Sequence, residues 1–503
     1  MAVLSTKHAR QQQVSITDFS GGLNTSSSMA GIQPNQLSEV LNMELDSVTN
    51  RLKTVAGTVD VMAVSGVTLW AAAWDEINKK MILVDTAKRV YATNLTGGIG
   101  SSLGTLTGSL YPVTANWENG LLIASGGKLQ YYNGTALVTL TNSPNSNSVY
   151  TRASRVVVTT GNEVHYSAVG DETDWTEDSN SDASSVWVEA GYKDGGQFIG
   201  MVNLSSDILI LKNNRRVYRL SGEYPDWAIA EVSRNVECVG RRSFASIAGN
   251  VFVLGKTEVQ VLQPTADYGD VKPQNVGSVI AKEIATLPAD TMVRFVPPLS
   301  QVWFIGANGT VLIFDTNHTA WFVRKFNSAV IDVVAVGNIV YIVKPDRISR
   351  LEESTFMDNG AALAWKFQSK RLESHNEYLL KRTQVSIMPY TSDIYSGYIR
   401  VGGVFLGLPI PARALRIYHN RAKIFKNRTK ICGAGRSKGV YMAGELIYKN
   451  PAPIYGNRTK IFNRSDIIKE SRNVFRSKYL PVMGQGSAGG FVLNGIALDI
   501  VEV

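Results

Sequence analysis

The sequence predicts an all-β chain. Its main body is expected to be a β-propeller of six or seven blades, with an N-terminal arm and a C-terminal β domain that carries a basic heptad-repeat insertion. Three observations predict this. Short apolar runs alternate with tight-turn dipeptides over some 300 residues. These runs recur at a spacing of 34–52 residues. Only 18% of the 503 residues are charged and 44 are glycine, a profile of strands and turns and not of disorder.

Residues 1–31 are rich in Ser, Thr, Gln and Gly without sustained periodicity, and read as an extended arm. In the stretch 34–44, Pro34 suits a first helical position. Leu37, Val40 and Leu41 fall on one helical face, so one short helix is expected there. The arm and helix together are assigned to 1–65.

From residue 66 to 365 the pattern is that of repeated antiparallel meanders. Leu121–Ser125 leads through Gly126-Gly127 to Lys128–Tyr132, then through Asn133-Gly134 to another strand. Asn-Gly and Gly-Gly accept positive φ and favour two-residue hairpins. The recurring strand opens near Met81, Leu121, Arg155, Asp207, Asn250, Gln301 and Asn338. A meander repeated every 40–50 residues fits propeller blades. A β-sandwich also shows short strands at regular spacing and is the competing architecture. Residues 366–503 return to strands without the blade spacing and are assigned to a C-terminal β domain, interrupted by an insert at 406–480.

Within that insert an apolar residue, usually followed by an aromatic one, recurs every seven residues, at Ile417-Tyr418, Ile424-Phe425 and Ile431-Cys432. After an offset of two residues it continues at Val440-Tyr441, Ile447-Tyr448, Ile454-Tyr455, Ile461-Phe462, Ile468-Lys469 and Phe475-Arg476, with consensus Ile-aromatic-x-Asn-Arg-Thr-Lys. A coiled coil is excluded, because the apolar positions are adjacent and Pro451 and Pro453 would break the helix. Adjacent residues point to opposite faces of a strand, so one short strand per repeat is expected. The segment 413–478 holds 17 Lys and Arg against Glu445, Asp466 and Glu470, a local charge of +14. The whole chain is +9, which leaves −5 for the remainder. Arg421, Lys423, Lys426, Arg428, Lys430, Arg458, Lys460 and Arg464 are the candidate DNA- or tip-contacting residues; a merely solvated basic face is the competing reading.

Signals for catalysis are weak. The five histidines and two cysteines show no metal-ligand spacing, and no GxSxG elbow occurs. Gly484-Gln-Gly-Ser-Ala-Gly489 matches GxGxxG, but a strand follows it where a nucleotide site needs a helix, and a flexible turn is expected. Asp171, Asp174 and Asp178 surround Trp175 in what reads as an inter-strand loop. A propeller glycosidase would need a pocketed carboxylate pair instead. No enzyme activity, cofactor or metal is expected. The N-terminus lacks a long apolar stretch and no window suits a spanning helix, so neither a signal peptide nor stable membrane insertion is expected.

Three N-terminal phrases carry a family likeness: Phe19-Ser-Gly-Gly-Leu-Asn-Thr25, Pro34-x-Gln36 with Leu41-Asn42, and Arg51-Leu-Lys-Thr-Val-Ala-Gly57. Together with His165–Trp175 and Phe252–Val261 they resemble tail nozzle proteins of short-tailed bacteriophages, also called tail hub or tail tubular protein B-like proteins. The likeness spans about residues 15–370 and the final strands; the heptad insert departs from it. The resemblance implies a virion tail protein made in the host bacterial cytoplasm. It implies a hexameric ring below the portal and adaptor, a channel for double-stranded DNA, and docked tail fibres or tailspikes. Phe19, Gly21, Gly22, Leu23 and Asn24 would then be an inter-subunit arm. The alternative is a propeller adhesin or lectin that binds surface glycan.

Overall fold

The computed structural model describes residues 11–408 except 48, 206, 223–225, 265–270, 390–395 and 403. It also describes 440–442, 445–448, and 467–502 except 472–474 and 488–489. Two compact units result. One holds 58–319 and 325–351; the other holds the N-terminal residues to Gly57, 320–324, and the chain from Glu352 onward.

The first unit is a seven-bladed propeller. Among the described residues there are seven four-stranded antiparallel sheets. The blade-opening strands are Leu69–Asp75, Val113–Trp117, Ser148–Arg152, Phe198–Leu204, Phe244–Ile247, Met292–Val296 and Asp332–Val336. From the second blade to the seventh, each opening strand packs against the next, and the seventh returns to the first. Ile82, Val84, Leu121 and Ile123 join the first blade to the second in one apolar cluster, which completes the ring. The opening strands therefore surround the axis.

Six of the seven strand positions read from the sequence fall on second strands, such as Lys80–Asp85, Gly120–Ala124, Asp207–Lys212 and Gln301–Ile305, and the seventh, Asn338, immediately precedes one, Ile339–Val343. A second strand lies mid-blade with neighbouring blades on both faces. Its apolar run is therefore continuous, as in the wholly buried Gly120–Ala124.

The seventh blade closes the ring with a borrowed strand. Asp332–Val336, Ile339–Val343 and Arg347–Glu352 are completed by Gly57–Ala63 from the start of the chain. Asp60 accepts from Arg347 Nη1 at 2.9 Å and from Ser349 Oγ at 2.7 Å. Met62 and Val64 join Leu83, Val343 and Ile348 in one core that spans the first and seventh blades. The propeller thus begins before residue 66.

One hairpin shows how tightly the turns are specified. Asn308 and Gly309 both take positive φ, +57° and +74°. A Cβ at Gly309 would lie 2.3 Å from the Ser328 carbonyl oxygen and 2.8 Å from that of Phe326. Gly309→Ala combines backbone strain with backbone overlap and is expected to cost about 2 kcal/mol or more. A urea-unfolding comparison checks this.

The second unit weaves the two ends of the chain together. Leu372–Pro389 pairs with Phe491–Glu502, which pairs in turn with Gln11–Ile16 and Leu52–Thr54. A second sheet places Gln36–Leu41 beside Ala364–Ser369, then Val482–Ser487 and Ser396–Val401. The rings of Trp365 and Phe491 meet edge-on at 5.0 Å.

Three expectations are corrected here. The helix at 34–44 is a strand, Gln36–Leu41. Its register shifts between Leu37 and Glu39, and such a bulge lets Leu37 and Val40 share the buried face at a spacing of three. That spacing imitates a helix. Second, Gly484 and Gly486 are not a flexible turn but part of the strand Val482–Ser487. A Cβ at Gly484 would lie 2.3 Å from the Phe367 ring, so glycine is what lets that ring lie against the strand. Third, the insert is shorter than 406–480. Val404–Leu408 pairs with Ser396–Val401, while Ile467–Ser471 and Phe475–Leu480 pair with Leu372–Pro389. Ile468 and Phe475, read as heptad positions, belong to that sheet.

Candidate functional site

The eight candidate basic residues, Arg421, Lys423, Lys426, Arg428, Lys430, Arg458, Lys460 and Arg464, lie outside the described residues. The described chain leaves one sheet at Leu408, where Val404–Leu408 pairs with Ser396–Val401, and enters the other at Ile467, where Ile467–Ser471 pairs with Leu372–Pro389. Between these points Val440–Met442 and Glu445–Tyr448 form one antiparallel hairpin. Two heptad repeats thus supply the two strands of a hairpin, with Val440 opposite Tyr448.

The expected inter-subunit arm is folded into its own chain. Phe19 and Leu23 are buried, and the Phe19 ring meets Phe367 edge-on at 6.4 Å. Gly22-Leu23 pairs in parallel with Gln36-Leu37, and the Gly21 amide donates to the Asn35 carbonyl. Asn24 is buried, and its amide donates to Gln36 Oε1 at 2.9 Å. Within the single chain the apolar side chains of this stretch are covered by Phe367 and the strand that begins at Gln36; the reading of Phe19, Gly21, Gly22, Leu23 and Asn24 as an inter-subunit arm concerns a neighbouring copy.

The loop acids are turn formers. Asp171 accepts from the Thr173 amide and hydroxyl, which hold its carboxyl below the usual range. Asp174 and Asp178 cap the amides of Thr176 and Asn180 in the same way. Trp175 donates to the Glu172 carbonyl and packs on the core of the second and third blades.

Two places on the propeller have the geometry of sites. The first is a cleft of about 520 Å³ between the fourth and fifth blades. Leu254, Ile284 and Leu287 form its apolar wall. Glu237 sits at its edge between Arg215 (3.3 Å) and Lys256 (3.8 Å). Cys238 also lines it, but burial pushes its thiol up to about 12, so it is no nucleophile near neutral pH.

The second is one mouth of the axis, at the end where the blade-opening strands begin. Tyr111, just before the second blade, donates to Asp332 Oδ2 of the seventh at 2.9 Å. Arg294 of the sixth blade reaches the same carboxylate at 3.0 and 3.3 Å. Arg242, ahead of the fifth blade, stacks on Tyr111 with its guanidinium 4.2 Å from the ring centre. Arg241 crosses to the Asn147 carbonyl ahead of the third blade. Trp70 of the first blade meets Tyr111 edge-on at 5.2 Å and carries the Lys88 ammonium over its own ring. Side chains from five blades, or from just ahead of them, therefore converge at this mouth, with a main-chain carbonyl from ahead of a sixth. Burial and the Asp332 charge hold the Tyr111 phenol protonated far above its ordinary range.

Sequence reasoning missed this hub. Tyr111 and Asp332 are 221 residues apart, and no local motif joins them. The usable signal was positional, since Tyr111, Arg242, Arg294 and Asp332 all stand within two residues of the start of an opening strand.

Among the described residues no group of three or more His, Cys, Asp or Glu could hold a metal ion, and no helix is long and apolar enough to cross a membrane. No protein-family model and no curated protein matches the chain. Similar solved structures include BamB from Moraxella catarrhalis, at 10% identity and TM-score 0.36, covering 68% of this chain and 97% of that one. The WD40 domain of Pan2 from Neurospora crassa aligns at 10% identity and TM-score 0.41, over 59% and 95%. The computationally designed protein Ika8 aligns at 12% and 0.36, over 58% and 99%. Scores this low carry no argument, and the propeller assignment rests on the blade pairing itself.

Proposed function

We propose that this protein is a structural subunit of a bacteriophage tail nozzle, in which copies form a ring-shaped conduit for DNA below the portal and adaptor and a platform for tail fibres or spikes. The observation that carries the reading is the N-terminal set of phrases, Phe19–Thr25, Pro34-x-Gln36 and Arg51–Gly57. The charge distribution supports it: a scaffold of −5 bears one segment of +14, suited to meet phosphate. The conduit in this reading lies between subunits, because the propeller's own axis is crossed by Tyr111, Arg242, Arg294 and Asp332. Subunit contacts in this reading are heterologous interfaces that close into a ring.

The test is a variant in which a short flexible linker replaces residues 409–466. The strands that end at Leu408 and begin at Ile467 are neighbours, so a short linker can join them. The variant is expected to keep the propeller's thermal transition and to lose DNA binding. For the parent, the logarithm of the DNA association constant should fall linearly with the logarithm of salt concentration. DNA binding that ignores salt, or that survives the replacement, would contradict a phosphate-contact role. Particles that retain and eject genomes normally with the variant would contradict the tip role.

A further inference from the structure

We propose that the axial mouth is an oxyanion site, in which Arg241 and Arg242 hold the phosphate or carboxylate group of a small ligand. The inference stands apart from the nozzle reading and rests on charges in the hub that lack an answer.

Lys88, Arg241, Arg242 and Arg294 bring four cations to this mouth, against the carboxylates of Asp332 and Asp290. Asp332 is fully buried and already taken by Arg294 and by the Tyr111 hydroxyl. Asp290 is 78% exposed and meets Arg242 at 3.2 Å. Among the described residues Arg241 meets no carboxylate, its side chain donates to the neutral Asn147 carbonyl, and its buried Nε has no partner. Burial opposes its charge, with no anion to offset it. Arg241 is part-buried, and unlike a lysine it keeps its proton, so a bound anion would offset the cost of covering its charge.

The chemistry of these side chains names the class of ligand. A planar guanidinium fork suits two oxygens of a phosphate or carboxylate. The Tyr111 ring beneath Arg242 fixes that guanidinium in place.

Isothermal titration calorimetry and thermal unfolding of the full-length protein, at constant ionic strength, test the proposal with inorganic phosphate and with acetate. Saturable binding to one site is expected, with a matching rise in Tm. Stronger binding of phosphate would point to a phosphoryl ligand, and stronger binding of acetate to a carboxylate. Arg241→Gln should weaken binding about tenfold or more, and Arg215→Gln at the separate cleft should leave it unchanged. Asp332→Asn, which removes the competing carboxylate, should tighten it. Should Arg241→Gln fail to fold, Arg241→Lys keeps the charge but loses the fork and should still weaken binding. Absence of saturable binding by either anion, or equal binding by the parent and the foldable Arg241 variant, would overturn the proposal.

Discussion

Asp194→Ala is expected to lower the propeller's unfolding free energy by about 3–5 kcal/mol, the cost of leaving a buried charge without its partner. Asp194 and Lys212 form an ion pair at 2.6 Å, with side chains 4% and 0% exposed. Lys212 also donates to the Ala190 carbonyl, while Asp194 accepts from the Gly196 amide and the Tyr218 hydroxyl. Burial alone would raise the Asp194 pKa. Lys212, Gly196 and Tyr218 outweigh it and hold the carboxyl at about 2. A depressed pKa contributes stability that is complete above the unfolded value, near 4, and lost as pH falls from there towards 2. Urea titrations between pH 2 and 5 should show this loss in the parent and a much shallower one in Asp194→Ala. The double variant Asp194→Ala/Lys212→Met should recover much of the stability, because an apolar pair leaves no charge stranded. If the double variant is as unstable as the single, the deficit comes from packing and not from charge.

Asp332→Ala should cost about 2–4 kcal/mol, somewhat less, because Arg294 keeps 35% of its side chain in solvent. The carboxylate joins Arg294 and Tyr111 across the axis and also accepts from the Val333 amide at 2.8 Å. Its loss strands a guanidinium and releases a phenol together. Tyr111 provides a readout that mere loss of packing would not move. Without the Asp332 charge its hydroxyl should ionise at lower pH than in the parent, seen as an earlier tyrosinate absorbance step. An unchanged tyrosine titration would mean that burial alone sets the Tyr111 pKa.

The propeller was legible because its second strands are covered on both faces. Leu121–Ala124 and Val302–Ile305 read as unbroken apolar runs, and their spacing exposed the repeat. The ring closure was not legible. Gly57–Ala63 carries both buried and exposed residues, and its partners lie nearly 300 residues away. The stretch 34–44 was misread because a bulge at Leu37–Glu39 reproduces helical spacing. Residues 19–24 looked like a free arm because their cover, Phe367 and the strand that begins at Gln36, comes from elsewhere in the chain. The hub depends on side chains that meet only after the ring has closed, and periodicity carries no information about which residues cross an axis. The charge of the basic segment, by contrast, is a property of composition and was plain from the start.

The most direct test of the nozzle reading is electron microscopy of the purified full-length protein and of virions labelled on it. Closed rings of several copies around an open centre, with the label at the tail end, are the predicted result; the family likeness sets the expectation at six. Isolated single propellers at every concentration, with label absent from the tail, would contradict it.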